Sequence, residues 1–312
     1  MCDPVRLEVT EYNVTLRHQR PLTIALLADV HDAPCEEVIT ALSKANPDLI
    51  AIAGDLVNAY YRHHRRNLYT RLMYRRSPVD KSKANLPLKK WNALDYSPNA
   101  LLLLRECPRI APTFFSLGNH EWVMSDADYH TIARHGVTLL DNSYQALSLG
   151  GDKPIFIGGL TSATIVRFRE FARRFPKEDW EKRHHSNIDY LRFKEQVSEP
   201  DAEWLFDFEK EDGDKLLLSH HPEYWTDDLP LLELHPIDLV LSGHAHGGQI
   251  RLFGHGLFAP DQGIFPKYVS GVFTGGHGRM VVTRGLCNTA KIPRIGNPAE
   301  LVIIKTNRPP DP

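Results

Sequence analysis

The segment "DLVLSGHAHGG", Asp238 to Gly248, is a short apolar run that stops at a cluster of histidine and glycine. A run of roughly four to eight apolar residues closed by turn formers is the pattern of a strand buried on both faces. Four other stretches repeat it: "LTIALLAD" (Leu22 to Asp29), "DLIAIAGD" (Asp48 to Asp55), "PTFFSLGNH" (Pro112 to His120) and "KLLLSHH" (Lys215 to His221). Helical segments fall between several of them. "PCEEVITALSKA" (Pro34 to Ala45) has Pro near its first turn, and "SDADYHTIARHG" (Ser125 to Gly136) has Ser125 and Asp128 spaced as a capping pair and Gly136 as a stop. Strands alternating with helices predict an α/β layered fold. Each polar cluster lies just past the C-terminal end of an expected strand, where α/β sheets place their ligands, so five loops are expected to converge on one sheet edge.

The bulk composition leaves the chemistry to these loops. The chain has 312 residues, 42% apolar and 24% charged, with a formal net charge of -2, so the whole molecule has no strong pull toward nucleic acid or a membrane. There is no apolar h-region near the start and no window of about 18 apolar residues, so neither a signal peptide nor a membrane span is expected. The four cysteines, Cys2, Cys35, Cys107 and Cys287, form no C-x-x-C pair and no disulfide framework, which suits a reducing cytosol. The unusual residue is histidine, present 16 times and often beside Asp, Asn or Gly.

Two segments break the strand and helix rhythm. Residues 59–99 carry ten Lys or Arg against two acids, interleaved with Tyr60, Tyr61, Tyr69, Tyr74, Trp91 and Tyr96. Residues 161–200 are mixed in charge and rich in aromatics. Both read as insertions into a single domain spanning 1–312, and each fits a cap over the site as well as a solvated surface excursion. The C-terminal third has Gly-punctuated β-like pieces that fit a second sheet closing the core.

The residues at the strand ends are Asp29 and His31 in "ADVHD", Asp55 in "AGDLV", Asn119 and His120 in "GNHE", His220 in "SHHP", and His244 and His246 in "GHAHGG". Carboxylate and amide oxygens mixed with imidazole nitrogens suit borderline divalent ions such as Mn, Fe, Zn or Co. No cysteine is among them, which argues against a structural zinc knuckle. The donors outnumber one coordination sphere, so two ions about 3.5–4 Å apart are the economical reading. Each motif alone is weak, since D-x-H arises often by chance; their occurrence in order, each after a strand, gives the pattern its weight.

That order of motifs resembles the calcineurin-like metallophosphoesterase superfamily, and "SGHAHGGQI", "SHHPEYW" and "TRGLCNTAKIPRIGNPAELVII" look like its bacterial branch with the G-H-x-H-G-G-Q motif. The likeness runs from Leu22 to Ile304 apart from the two insertions. It implies a four-layer αββα sandwich of two mixed β-sheets flanked by helices, with a dinuclear centre of Mn, Fe or Zn. Carried over residue by residue, one ion would be held by Asp29, His31, Asp55 and His246, and the other by Asp55, Asn119, His220 and His244. Asp55 would bridge, and His120 would steady the phosphoryl group or protonate the leaving oxygen. The implied reaction is hydrolysis of a phosphodiester, phosphomonoester or pyrophosphate bond by attack of a metal-bridging hydroxide, without a covalent enzyme intermediate. The family usually has Ser or Thr at the position of Ala28, so a supporting hydrogen bond is expected to be missing. The family frame selects His220 over its neighbour His221 as ligand. Asp32 and Glu121 are expected to support the ligands, and His63, His64, His184, His185, His255 and His277 to lie outside the centre.

The expected partner is a small phosphate ester, nucleotide- and lipid-linked ones included, with peripheral membrane contact left open and no nucleic acid or protein partner. Hydrolysis of a lipid-linked nucleotide pyrophosphate such as UDP-diacylglucosamine is the alternative, the aromatic stretch from Phe168 to Phe175 being one place for an acyl chain. Two other readings fit less well. A non-catalytic scaffold on the same fold is expected to have lost ligands or His120, and none is missing; an amidohydrolase would carry H-x-H on its first strand, whereas here it comes last.

Overall fold

The computed structural model describes residues 6–17, 20–58, 92–163, 165, 199–234, 237–276, 278–287 and 293–307. They form two six-stranded mixed sheets. The first runs in the order β1 (Leu7–Thr15), β16 (Ala299–Asn307), β2 (Thr23–Leu27), β3 (Leu49–Ala53), β4 (Thr113–Ser116), β5 (Thr138–Leu140), with β2 to β5 parallel. The second runs β14 (Gly271–Gly275), β15 (Gly278–Val282), β9 (Ile237–Ser242), β8 (Asp214–Ser219), β7 (Ile155–Leu160), β6 (Ser143–Leu147), with β15, β9, β8 and β7 parallel. All five strands expected from the apolar runs are present: β2, β3, β4, β8 and β9.

Side-chain alternation builds the layers. Ile24, Leu26 and Ala28 of the first sheet face Leu216, Leu218, Leu239 and Leu241 of the second and form the inner core. Ala25 and Leu27 point the other way, onto Val38 and Leu42 of α1 (Glu36–Ala45), Leu103 and Leu104 of α2 (Pro98–Ile110) and Ile132 of α3 (Asp126–Arg134). Leu217 and Val240 of the second sheet turn outward onto Leu205 and Phe208 of α4 (Glu199–Phe208). The result is helix, sheet, sheet, helix. Burying each such Leu or Ile contributes roughly 1.5–3 kcal/mol, so the three interfaces hold the sandwich together.

The start of α3 follows the expected capping: the Asp128 amide donates to Ser125 Oγ at 3.3 Å, and the Ser125 amide to Asp128 Oδ2 at 2.7 Å. Asp128 also accepts the amides of Ala93 and Leu94, at 2.9 and 3.0 Å. This ties the end of the expected 59–99 insertion into the fold. Ala93 and Leu94 are core residues and α2 begins at Pro98; residues 59–91 of the expected insertion lie outside the described residues. Of the second insertion, 164 and 166–198 lie outside them as well.

The C-terminal third supplies both sheets, because β14 and β15 extend the second while β16 runs between β1 and β2 in the first. Two short hairpins precede them, β10 (Arg251–Leu252) with β11 (His255–Gly256) and β12 (Phe258–Ala259) with β13 (Gly263–Ile264). Cys35 and Cys107 are buried free thiols, but Cys287 is disulfide-bonded to a residue outside those described. No described helix is long and apolar enough to cross a membrane.

Candidate metal centre

The loops do converge, but not on the edge of one sheet. Asp29, Asp55 and Asn119 follow β2, β3 and β4 of the first sheet, whereas His220 and His244 follow β8 and β9 of the second. The parallel strands of both sheets end at the same rim of the sandwich, and the cluster spans the seam. Asp55 Oδ2 is the hub, with the Nε2 atoms of His220, His31 and His120 at 3.3, 3.6 and 3.8 Å. Asp29 Oδ1 is the second hub, 3.7 Å from His246 Nε2 and 3.9 Å from those of His31 and His220.

Backbone strain marks the same positions. Asp29, His31, Asp55, His244 and His246 all lie in the left-handed region, with φ of 50°, 45°, 54°, 66° and 46°. Each such residue costs on the order of 1 kcal/mol and persists only where the surroundings impose it. Gly54 explains one of the tight turns: it has φ of +87°, and a Cβ there would come within 2.6 Å of His220 Nδ1. At Gly243, a Cβ would lie 2.5 Å from that of Ala28 and 2.8 Å from Asp29 Oδ2. The close approach of this loop to Ala28 is what Gly243 accommodates.

Hydrogen bonds pin one end of three of the imidazoles and leave the other for the centre. His220 Nδ1 sits 2.8 Å from the Ala53 carbonyl and His246 Nδ1 3.1 Å from that of Cys287, so both present Nε2. His244 is turned the opposite way, with Nε2 2.8 Å from Asp261 Oδ2, which leaves Nδ1. A ring nitrogen held by a carbonyl or carboxylate fixes the tautomer that offers the other lone pair to a metal. His221 Nε2 faces Ser162 Oγ at 3.1 Å. His244 and His246, two residues apart, diverge: the His246 ring stacks on His31 at 5.3 Å, and that of His244 lies 5.1 Å from His220.

Several polar atoms in this cluster are buried with no hydrogen-bond partner: His31 Nδ1 and Nε2, His220 Nε2 and Asn119 Oδ1. Orphaned buried donors and acceptors are rare unless an ion, water or ligand completes them. Four sets of ligand atoms in this cluster lie close enough to hold a metal, Asp29 with His31 and His246, Asp29 with Asp55 and His220, His31 with Asp55 and His120, and His220 with His221 and His244. Oxygen and imidazole donors of this kind fit a divalent ion.

The electrostatics describe a centre short of positive charge. Burial pushes His120 down to about 4 and lowers His31 and His246 as well, so these rings are neutral. Burial also works against a proton on His220, but the facing carboxylate of Asp55, with Asp29 behind it, carries that ring up to about 10. Burial would raise Asp55, yet His120, His220 and His31 hold it well below the usual carboxylate range. A proton on His220 thus occupies the place where a cation satisfies both carboxylates.

Supporting residues complete the picture. Glu121 accepts the amides of Leu56, Asp55, Gly118 and Val57 at 2.7, 2.8, 2.8 and 3.1 Å, locking the loops after β3 and β4 together. The His120 amide donates to Asp55 Oδ1 at 2.8 Å, which leaves Oδ2 to face the imidazoles. Asp32 instead caps α2, accepting the amides of Asn99 and Ala100 at 2.8 and 3.1 Å. His255 is exposed on β11, and His63, His64, His184, His185 and His277 lie outside the described residues. Sequence reading missed Asp261, which follows "FAP" on the β12–β13 hairpin, and Glu223 beside "SHHP"; nothing in their spacing marks either one.

Fold and cluster together define a carboxylate- and histidine-rich centre at the rim of an αββα sandwich. The family model for calcineurin-like phosphoesterases matches residues 22–248, and the chain belongs to that family. It is 27% identical over 257 residues to the uncharacterized metallophosphoesterase YkuE of Bacillus subtilis, over 80% of this chain and 64% of that protein. It is 23% identical over 242 residues to an uncharacterized metallophosphoesterase of Helicobacter pylori, over 75% of this chain and 47% of that one. The chain thus covers about half to two thirds of the length of these relatives. Among solved structures it is similar to a dimetal phosphatase from Danio rerio, with a TM-score of 0.46, 12% identity and 85% and 87% of the two chains covered. It is also similar to the sulfate thiohydrolase SoxB of Thermus thermophilus, with a TM-score of 0.43, 11% identity and 91% and 56% covered.

Proposed function

We propose that the protein is a dinuclear metal-dependent phosphoesterase of the G-H-x-H-G-G-Q branch. The observation that carries this reading is the pair of carboxylate hubs, Asp29 and Asp55, ringed by imidazole Nε2 atoms, of which those of His31 and His220 are buried with no hydrogen-bond partner. Asp29, His31, Asp55 and His246 would hold one ion, and Asp55, Asn119, His220 and His244 the other. Asp55, its Oδ1 tied to the His120 amide, would serve both ions. When bound, two such ions lower the pKa of water toward neutrality and polarise the phosphoryl oxygens.

The chain's own groups do the remaining work. Asp261 holds the His244 ring with Nδ1 inward, and the carbonyls of Ala53 and Cys287 hold His220 and His246 with Nε2 inward. Preset donors of this kind need no reorganisation when the reaction begins. His120, neutral at rest, would donate one N–H to a phosphoryl oxygen and gain proton affinity once a substrate anion lies beside it. Mn, Fe and Zn all suit the donor set, and we take a phosphodiester as the leading substrate class.

A lipid-linked nucleotide pyrophosphate is the second reading. What favours it is the apolar rim on the two short hairpins, one of which carries Asp261: Phe253 is 101% exposed, and Ile264 and Phe265 are each 75% exposed. Purified protein should be assayed with Mn, Zn, Fe and Mg against bis-p-nitrophenyl phosphate, p-nitrophenyl phosphate, cyclic nucleotides and UDP-diacylglucosamine. Turnover of at least one ester that a chelator abolishes is the expected result; none above the metal-free blank overturns the proposal. Good cleavage of the aryl diester with none of UDP-diacylglucosamine removes the second reading.

A further inference from the structure

Glu223 has no place in the two-ion scheme, yet both oxygens of its carboxylate are buried with no hydrogen-bond partner. It follows Pro222, and one ligand atom from each of Glu223, His221 and Asp261 lies within 4.8 Å of the others. Asp261 Oδ2 is 3.8 Å from His221 Nδ1, and Ser162 Oγ meets the opposite nitrogen of that ring at 3.1 Å. Two carboxylates this close repel each other unless something positive lies between them. No Lys or Arg among the described residues partners Glu223.

We infer that His221 Nδ1 and the carboxylates of Glu223 and Asp261 form a third divalent-cation site flanking the dinuclear centre. One imidazole and two carboxylates suit the same borderline ions as the centre itself. Donors around such an ion stand about 3–4 Å apart, given bonds of about 2.1 Å, so a small inward movement of side chains closes the set. Asp261 is the joint between the sites: it accepts from His244 Nε2 through Oδ2 and keeps Oδ1 and its remaining lone pairs for the cation. Its side chain is 48% exposed, which gives an ion a route in from solvent. The inference rests on the two-ion reading only in counting this ion as an addition to the pair.

The test is metal stoichiometry, read without any activity assay. The full chain is dialysed to equilibrium against Mn²⁺ alone and analysed for bound manganese, in parallel with Glu223→Gln, a change that keeps size and removes the charge. The expected result is three ions per chain in the wild type and two in the variant. Equal stoichiometry in the two proteins overturns the third site. A drop of one from a wild-type value of one or two upholds it and overturns the pair instead. If Glu223→Gln does not fold, anomalous diffraction from manganese-soaked wild-type crystals decides the matter: a peak between Glu223 and Asp261 supports the site, and its absence at full occupancy of the centre refutes it.

Discussion

Asp55 Oδ2, from the first sheet, lies 3.3 Å from His220 Nε2, from the second, and this contact joins the two halves of the sandwich at the metal centre. Asp55→Ala removes the hub that also faces His31 and His120. The variant is expected to lose bound metal and all measurable turnover. Elemental analysis checks it, and two ions retained per chain would defeat the bridging role.

His120→Ala leaves the proposed ligand set intact. Metal content should be unchanged while kcat falls by roughly 10²- to 10⁴-fold, the range for a lost proton-transfer group. Full activity in steady-state assays would remove His120 from the mechanism.

Asp261→Asn weakens the 2.8 Å bond to His244 Nε2 without changing the size of the side chain. Loss of such a supporting carboxylate typically lowers metal affinity about 10- to 100-fold. The loss should fall on the ion proposed at His244 and on the third ion inferred at Glu223 and Asp261, while the one at His246 keeps its affinity; titration calorimetry separates them. Equal weakening of the ions at His244 and His246 would show that Asp261 does not act through His244.

Glu121→Ala leaves four buried amides, those of Asp55, Leu56, Val57 and Gly118, without their acceptor. At about 1–3 kcal/mol for each unsatisfied buried group, the variant should lose at least about 3 kcal/mol even after water reaches some of them. Chemical denaturation measures it, and a loss below about 1 kcal/mol would mean the loops are held by other contacts.

The pH dependence of the metal-free protein has two limbs. His31, His120 and His246 are held below their ordinary value of 6.5, so the unfolded chain takes up protons that the folded chain refuses, and stability falls as pH drops from 6.5 toward 4. His220 and His244 are held above that value, at about 10 and about 9, so the stability they contribute is complete below 6.5 and is lost as pH rises through those values. Urea midpoints in chelator should therefore peak near 6.5. With saturating metal the alkaline limb should flatten, because a ligating His220 has already given up its proton. An alkaline limb unchanged by metal would argue against His220 as a ligand.

Much of this protein can be read directly from its residues. The apolar runs ending at Asp29, Asp55, Asn119, His220 and His244 specify buried strands, and donor chemistry at five strand ends specifies a metal-type centre, because strand period and ligand type are local properties. Tertiary structure alone decided that these ends come from two sheets, that Asp55 presents Oδ2, and that His244 turns Nδ1 inward while His220 and His246 turn Nε2. Those outcomes depend on partners far away in the chain, such as Ala53 for His220 and Cys287 for His246. The same reason hides Glu121, Asp261 and Glu223. A carboxylate becomes a clamp, a ring-holder or an unpaired charge through what the fold places beside it, and no spacing in the sequence records that neighbour.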